Sequence, residues 1–261
     1  MKTYKTFIEE QNILLTEKAF DFDIKPAKNL EIIDLETKLE WDNKYAKRLG
    51  SGVEAVAFFL ENTQTVVKII KFDSELTIED VKKESTYKYL KEITKEFNSG
   101  NPYFPKIYSV RFYVSEMSYG KLSLDTTNQQ IFGVVKMERL TPVDEIDTES
   151  LQGAIQNLGF SFVDFTNTSI RNSPAASISD FGYKVDNFLN KISSYLKRGN
   201  SDFIKEIHNF NPKFAKALII IRKLIKKYNF RPDLHTGNIM VRLTSVGPQI
   251  VITDPLIPVW W

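Results

Sequence analysis

Apolar and polar positions follow different rules in different parts of this chain. Residues 1–44 scatter Ile and Leu among Lys, Glu and Asp with no regular period and no chemically readable motif, so they read as an N-terminal extension. From Tyr45 the pattern changes. Short runs rich in β-branched and aromatic residues, 45–49, 55–60 and 66–72, recur between Gly and Asn and predict an antiparallel meander. Residues 77–97 hold no Gly or Pro and begin at Thr77, an N-cap type with Asp80 three positions on, which predicts one helix of several turns. Gly100-Asn101-Pro102 ends it. Two further strand-like runs, 106–114 and 131–137, complete a set of five strands and one helix over residues 45–140.

Beyond Pro142 the chain reads mainly as helix, broken near 167–179 by a Ser, Thr, Asn and Pro-rich stretch typical of a surface loop. The clearest period in the sequence follows. Phe214, Ala217, Leu218, Ile221, Leu224, Ile225 and Tyr228 recur at helical spacing, with Lys216, Arg222, Lys223, Lys226 and Lys227 between them. Basic residues opposite an apolar stripe are the ordinary solvated face of a helix.

Composition narrows the partners. The chain has 261 residues, 42% hydrophobic and 26% charged, which excludes disorder over its whole length. A net charge of +2 gives no electrostatic footprint for nucleic acid, so any anion site is local. Without Cys there is no disulfide, thiolate zinc site, iron–sulfur cluster or cysteine nucleophile, and the expected location is cytoplasmic. The densest apolar run, Ala217–Ile221, is far short of the roughly 20 residues of a membrane span, so no membrane partner is expected.

The most informative segment follows the amphipathic helix. Phe230-Arg231-Pro232-Asp233-Leu234-His235-Thr236-Gly237-Asn238 leads into one short strand, a turn at Gly247-Pro248, and a second strand ending at Asp254. An Asp, an Asn five residues later and a second Asp at a strand end suit Mg²⁺-dependent phosphoryl transfer. A hard cation takes oxygen ligands, which Asn238 and Asp254 can supply, while Asp233 can orient or deprotonate a hydroxyl.

With these residues the chain resembles the protein kinase-like superfamily, and Asp-Leu-His-x-Gly-Asn is most similar to its small atypical kinases of the aminoglycoside phosphotransferase type. The resemblance implies an α+β, bilobal fold: residues 1–44 as extension, 45–140 as an antiparallel five-stranded N-lobe with one helix, and 141–261 as a mainly helical, truncated C-lobe. It implies a Gly-rich turn, found at Gly50-Ser51-Gly52 with Ala55 in place of the third glycine, and a strand lysine, found as Lys68 after Val66-Val67. A helical glutamate that pairs with the lysine is assigned by spacing to Glu84, with Glu79 and Glu92 open as alternatives. The strand entering the lobe connection is Val134-Val135-Lys136-Met137-Glu138-Arg139-Leu140. By the same resemblance the nucleotide contacts are Gly50, Ser51, Gly52, Ala55, Val66, Lys68, Glu84, Met137, Glu138 and Leu140, the catalytic residues Asp233, Lys68 and Asn238, and the metal ligands Asn238 and Asp254. ATP and Mg²⁺ are the cofactors implied.

Each piece alone has an ordinary reading: a turn, a solvated lysine, a capping aspartate. Their order along the chain is what carries the resemblance. His235 has two readings, support of the loop or contact with phosphate or substrate. Asp180-Phe181-Gly182 spells a kinase metal motif but precedes Asp233, and is read as the N-cap of a helix bearing Val185, Phe188, Leu189 and Ile192. Pro232 stands where most regulated protein kinases carry Arg, which argues against control through an activation-segment phosphate. Seven residues follow Asp254 here, too few for the activation segment and helical subdomain of that family, so the acceptor is expected to meet residues 143–212 or the extension. The expected activity is transfer of the γ-phosphoryl group of ATP to a hydroxyl. A protein Ser/Thr is preferred because 143–212 lacks a clear acidic cluster; a small-molecule kinase and a catalytically silent nucleotide-binding scaffold stay open.

Overall fold

Alternating apolar residues in the first half of the chain pair into one sheet. The computed structural model describes residues 20–26, 46–51, 55–60, 65–97, 100–116, 129–158 and 178–257. In it, β1 (Phe20–Pro26), β2 (Ala46–Ser51), β3 (Ala55–Leu60), β4 (Thr65–Lys71), β5 (Ile107–Glu116) and β6 (Gln129–Glu138) lie in the order β1-β5-β6-β4-β3-β2. All pairs are antiparallel except β1, which runs parallel to β5. The expected five antiparallel strands are thus corrected to a six-stranded mixed sheet. The added strand comes from within the segment assigned to the extension, and its Phe20-Asp21-Phe22-Asp23-Ile24-Lys25 alternation suits a sheet edge with one packed face. The described residues divide into two compact units, one drawn from 1–94 and 106–139, the other from 95–105 and 140–261.

The sheet of the first unit is apolar on both faces. Val56, Phe58, Leu60, Val67, Ile69 and Phe132 form a buried cluster on one. On the other, Phe112 packs on Tyr87 at 4.8 Å between ring centres and on Phe22 at 5.9 Å, and the Tyr87 hydroxyl donates to the Phe22 carbonyl at 2.7 Å. The register puts Gly133 opposite Phe112, and a Cβ there would meet the Phe112 ring at 2.9 Å, which is why the position suits glycine.

The single helix expected over 77–97 is two: α1 (Ile78–Val81) and α2 (Ser85–Phe97). Thr77 caps α1 as expected, its Oγ1 accepting the Asp80 N–H at 3.2 Å while Asp80 Oδ2 accepts the Thr77 N–H at 3.4 Å. The helix then tightens. Lys83 and Glu84 donate their N–H groups three residues back, to Asp80 and Val81, and the Glu84 carbonyl accepts from Lys88 to start α2.

The second unit is built on α3 (Thr148–Gln156), α4 (Ile178–Arg198), α5 (Ser201–Phe210) and α6 (Pro212–Tyr228). Helix α6 buries Phe214, Ala217, Leu218, Ile221, Leu224 and Ile225, as its period predicts, together with Ala215 and Ile220. Asn211 caps it through Phe214 N–H at 3.0 Å, and its amide also donates to the Tyr103 hydroxyl and the Asn157 carbonyl. Burial pushes the Tyr103 pKa up, so the hydroxyl stays protonated. In α4, Val185, Phe188, Leu189 and Ile192 are buried, but the helix starts at Ile178, so Asp180 belongs to its first turn rather than its N-cap. Of the loop expected over 167–179, residues up to 177 lie outside the described residues.

After α6 come β8 (Arg231–Pro232), β9 (Ile239–Thr244), β10 (Gly247–Ile252) and β11 (Leu256–Ile257), with β7 (Thr141–Pro142) pairing on β9. Arg242 of β9, 9% exposed, anchors this hairpin: its guanidinium donates to the Pro102 and Phe104 carbonyls and to Gln249 Oε1 at 2.7 Å.

Candidate active site

The chain leaves α6 through Asn229, whose left-handed backbone (φ 56°) stops the helix and turns toward Asp233. Two pairings then close a loop. β8 pairs with β11, Leu256 opposite Pro232, and the Asp233 N–H donates to the Pro255 carbonyl at 2.7 Å. β9 pairs with β10 so that Ile252 lies opposite Ile239, and Thr253 donates from both N and Oγ1 to the Asn238 carbonyl, each at 3.0 Å. Asp254 is thereby held between a residue fastened to Asn238 and one fastened to Asp233.

Within the loop, Asn238 Nδ2 donates to the Asp233 carbonyl at 2.8 Å and to Asp233 Oδ2 at 3.0 Å. A 3₁₀ turn, Thr236–Asn238, follows His235, whose Nδ1 accepts the Gly237 N–H at 3.1 Å and whose Nε2 lies 3.7 Å from Asp233 Oδ2. The Asp233 side chain is 34% exposed, open enough to meet a ligand and covered enough to be oriented. Asp233, His235 and Asn238 thus meet within one loop, and the backbone on either side of Asp254 is fastened to it.

The donor chemistry fits Mg²⁺. Both hydrogens of the Asn238 amide face Asp233, which turns its carbonyl oxygen away, and Asp254 contributes a carboxylate with Oδ1 buried. Among the described residues no cluster of three or more His, Cys, Asp or Glu gathers. Mg²⁺ is commonly held by one or two carboxylates and completed by phosphate oxygens and water, so a two-residue oxygen set suits it.

In the first unit the registers put Gly50, Ala55, Val66, Lys68 and Met137 on one sheet face, while Ser51 and Glu138 pair with Val56 and Thr65 of the other. Lys68 lies opposite Ala57 and Val135, Val66 opposite Met137, Ala55 opposite Ile70, and Gly50 opposite Ala57. Since Ile70 is opposite Gly133 and Gly133 opposite Phe112, Lys68 projects on the side where Phe112 meets Tyr87 of α2. Ser51 pairs with Val56, while Gly52 lies outside the described residues.

Glu84 is not helical as expected but stands in the break before α2. Of its alternatives, Glu79 is 73% exposed and pairs with Lys82 at 2.7 Å, and Glu92 lies in α2. Glu138 donates its N–H to the Lys106 carbonyl at 2.9 Å and accepts the Lys106 N–H on Oε1 at 2.7 Å. The Glu138 N–H is therefore engaged, and of the connection residues Val135, Glu138 and Leu140 are buried.

Thr253 stands outside the motifs of the sequence, and Gly237, the glycine of Asp-Leu-His-x-Gly-Asn, has no role assigned by it. Thr253 is signalled only by its place before Asp254. At Gly237 a Cβ would lie 2.9 Å from His235 Cε1 and 3.1 Å from Nδ1, so the absent side chain is what seats the ring.

No protein-family model matches the sequence, and no curated protein matches it. Among solved structures, the ternary complex of streptomycin, ATP and APH(2″)-IIa is similar at 14% identity, covering 88% of this chain and 73% of that one, with a TM-score of 0.27. A likeness at that level carries no argument about fold or chemistry.

Proposed function

We propose that the chain is an ATP- and Mg²⁺-dependent phosphotransferase that moves the γ-phosphoryl group to a hydroxyl. The observation that supports it most is the fastening of Asp233, Asn238 and Asp254 into one loop and strand end, through Asn238 Nδ2, the Asp233 N–H and the two Thr253 donors. An aspartate held by an asparagine beside a second acid is the arrangement that in-line phosphoryl transfer uses.

In this reading Asn238 and Asp254 hold the metal, which when bound offsets phosphate charge and orients the triphosphate. Lys68 contacts the α- and β-phosphates. Asp233 orients the acceptor hydroxyl and takes its proton as the oxygen attacks phosphorus, the bond to the β,γ-bridging oxygen breaks, and ADP leaves with the electron pair. Most of the acceleration comes from positioning. The acceptor is proposed only as a hydroxyl: a protein Ser/Thr and a small hydroxylated molecule use the same step.

Incubation with γ-labelled ATP and Mg²⁺ tests this. The wild type should release or transfer label, and Asp233→Ala should lower the rate by roughly 10²- to 10⁴-fold, the usual contribution of a positioned base. Label transfer that survives Asp233→Ala contradicts the assigned base. Nucleotide binding with no turnover by the wild type favours the silent scaffold, the reading that Ala55 in place of a third glycine motivates.

A further inference from the structure

The two nitrogens of His235 have different neighbours. Nδ1 accepts the Gly237 N–H at 3.1 Å, and a ring nitrogen that accepts carries no proton, so the neutral ring holds its hydrogen on Nε2. Nε2 lies 3.7 Å from Asp233 Oδ2. That separation is too long for a hydrogen bond but short enough for attraction between an N–H dipole and a carboxylate. The same Oδ2 accepts from Asn238 Nδ2 at 3.0 Å, whereas among the described residues nothing donates to Oδ1. The two oxygens of Asp233 are therefore inequivalent. The ring reaches this place because Gly237 has no side chain, since a Cβ there would lie 2.9 Å from His235 Cε1.

From these contacts we infer that His235 is a positioning residue: with Asn238 it holds Oδ2 of Asp233, so that Oδ1 accepts the proton of the attacking hydroxyl. The inference rests on the phosphotransferase reading and deepens it. The hydroxyl O–H bond breaks and its proton passes to Oδ1; the same oxygen bonds to the γ-phosphorus, and ADP departs with the electrons of the broken phosphorus–oxygen bond. A carboxylate free to rotate presents either oxygen in many places, whereas one held at Oδ2 presents the other in one. Of the two sequence readings of His235, loop support is thus given a catalytic consequence, and direct contact with substrate is not required.

Three variants separate the roles of the ring. In His235→Asn the amide oxygen can replace Nδ1 in accepting from Gly237, but nothing reaches Asp233. In His235→Gln the amide nitrogen can replace Nε2. Gly237→Ala leaves the imidazole intact and displaces it. With MgATP and water as acceptor, His235→Asn and Gly237→Ala should lower kcat roughly 10- to 100-fold, the scale of a misplaced reacting group, with KM for ATP and the thermal midpoint as in the wild type. His235→Gln should recover part of the loss.

Wild-type kcat in His235→Asn, or an effect confined to KM, overturns the inference. Wild-type turnover that needs Asp233 but ignores both His235→Asn and Gly237→Ala overturns this inference alone. Absence of Mg²⁺-dependent turnover in the wild type, or turnover indifferent to Asp233→Ala, overturns the phosphotransferase reading and this inference with it. The tautomer is read without turnover: a long-range ¹H–¹⁵N spectrum at pH 8 should show the Nε2-protonated pattern for the ring signal that His235→Asn removes, and an Nδ1-protonated pattern contradicts the geometry.

Discussion

Asn238 holds the loop through one side chain, and the proposed metal site would use that side chain a second time. Its amide hydrogens are fixed on Asp233, and that same fixing decides which way its oxygen faces. The spacing of Asp233 and Asn238, which the structure joins by hydrogen bonds, was legible in the sequence because the proposed roles require particular residue types. The contribution of Gly237 was not, because it depends on the space a ring occupies two residues away. Asp80 shows a residue-scale effect that pH can test. Its hydrogen bonds from Thr77, then its contact with Lys83, lower its pKa from 3.8 to about 2. A folded-state pKa below the unfolded one stabilises the chain fully above the unfolded value, and that stabilisation is lost as pH falls through the folded value. Thermal midpoints recorded between pH 5 and pH 2 should therefore fall less steeply in Asp80→Asn than in the wild type, and an unchanged slope would show that the cap does not persist in solution. The Asp80 side chain is 42% exposed, so added salt should shrink the difference.

At the scale of elements, the sequence signals that worked were periodic and local. Helix α6 follows its stripe of Phe214, Leu218, Ile221 and Ile225, with Asn211 as cap. The break at 82–84 was not legible, since no Gly or Pro marks it; Lys82 and Lys83 instead pair backward with Glu79 and Asp80 at 2.7 and 2.9 Å where the helix tightens. Arg242 was equally silent, because its partners lie about 140 positions earlier, at Pro102 and Phe104. It ties the β9–β10 hairpin to the segment at 102–104. Arg242→Ala leaves the buried Phe104 carbonyl and the half-buried Pro102 carbonyl without this donor and should destabilise the fold by about 3 kcal/mol, read as a lower urea midpoint. Arg242→Lys should recover only part, since an ammonium cannot reproduce the planar fork. A midpoint within error of the wild type for Arg242→Ala would mean that the hairpin is held by its apolar residues alone.

Over the whole molecule, the mixed α+β class was readable from the switch between strand-like runs and helical periods, whereas the sixth strand was not. Phe20–Pro26 alternates correctly, but seven residues within a Lys- and Glu-rich segment give too short a signal to set against their surroundings, and the parallel pairing with β5 is a long-range choice no local pattern encodes. No helix among the described residues is long and apolar enough to cross a membrane. The proposed phosphotransferase requires that Asn238 and Asp254 supply oxygens to a Mg²⁺ that accompanies ATP. Titration calorimetry with ATP, in Mg²⁺ and in excess chelator, on the wild type and on Asp254→Ala tests it most directly. The account predicts ATP binding that strengthens with Mg²⁺ in the wild type and loses that dependence in Asp254→Ala. No binding by the wild type, or the same Mg²⁺ dependence in both, would contradict it.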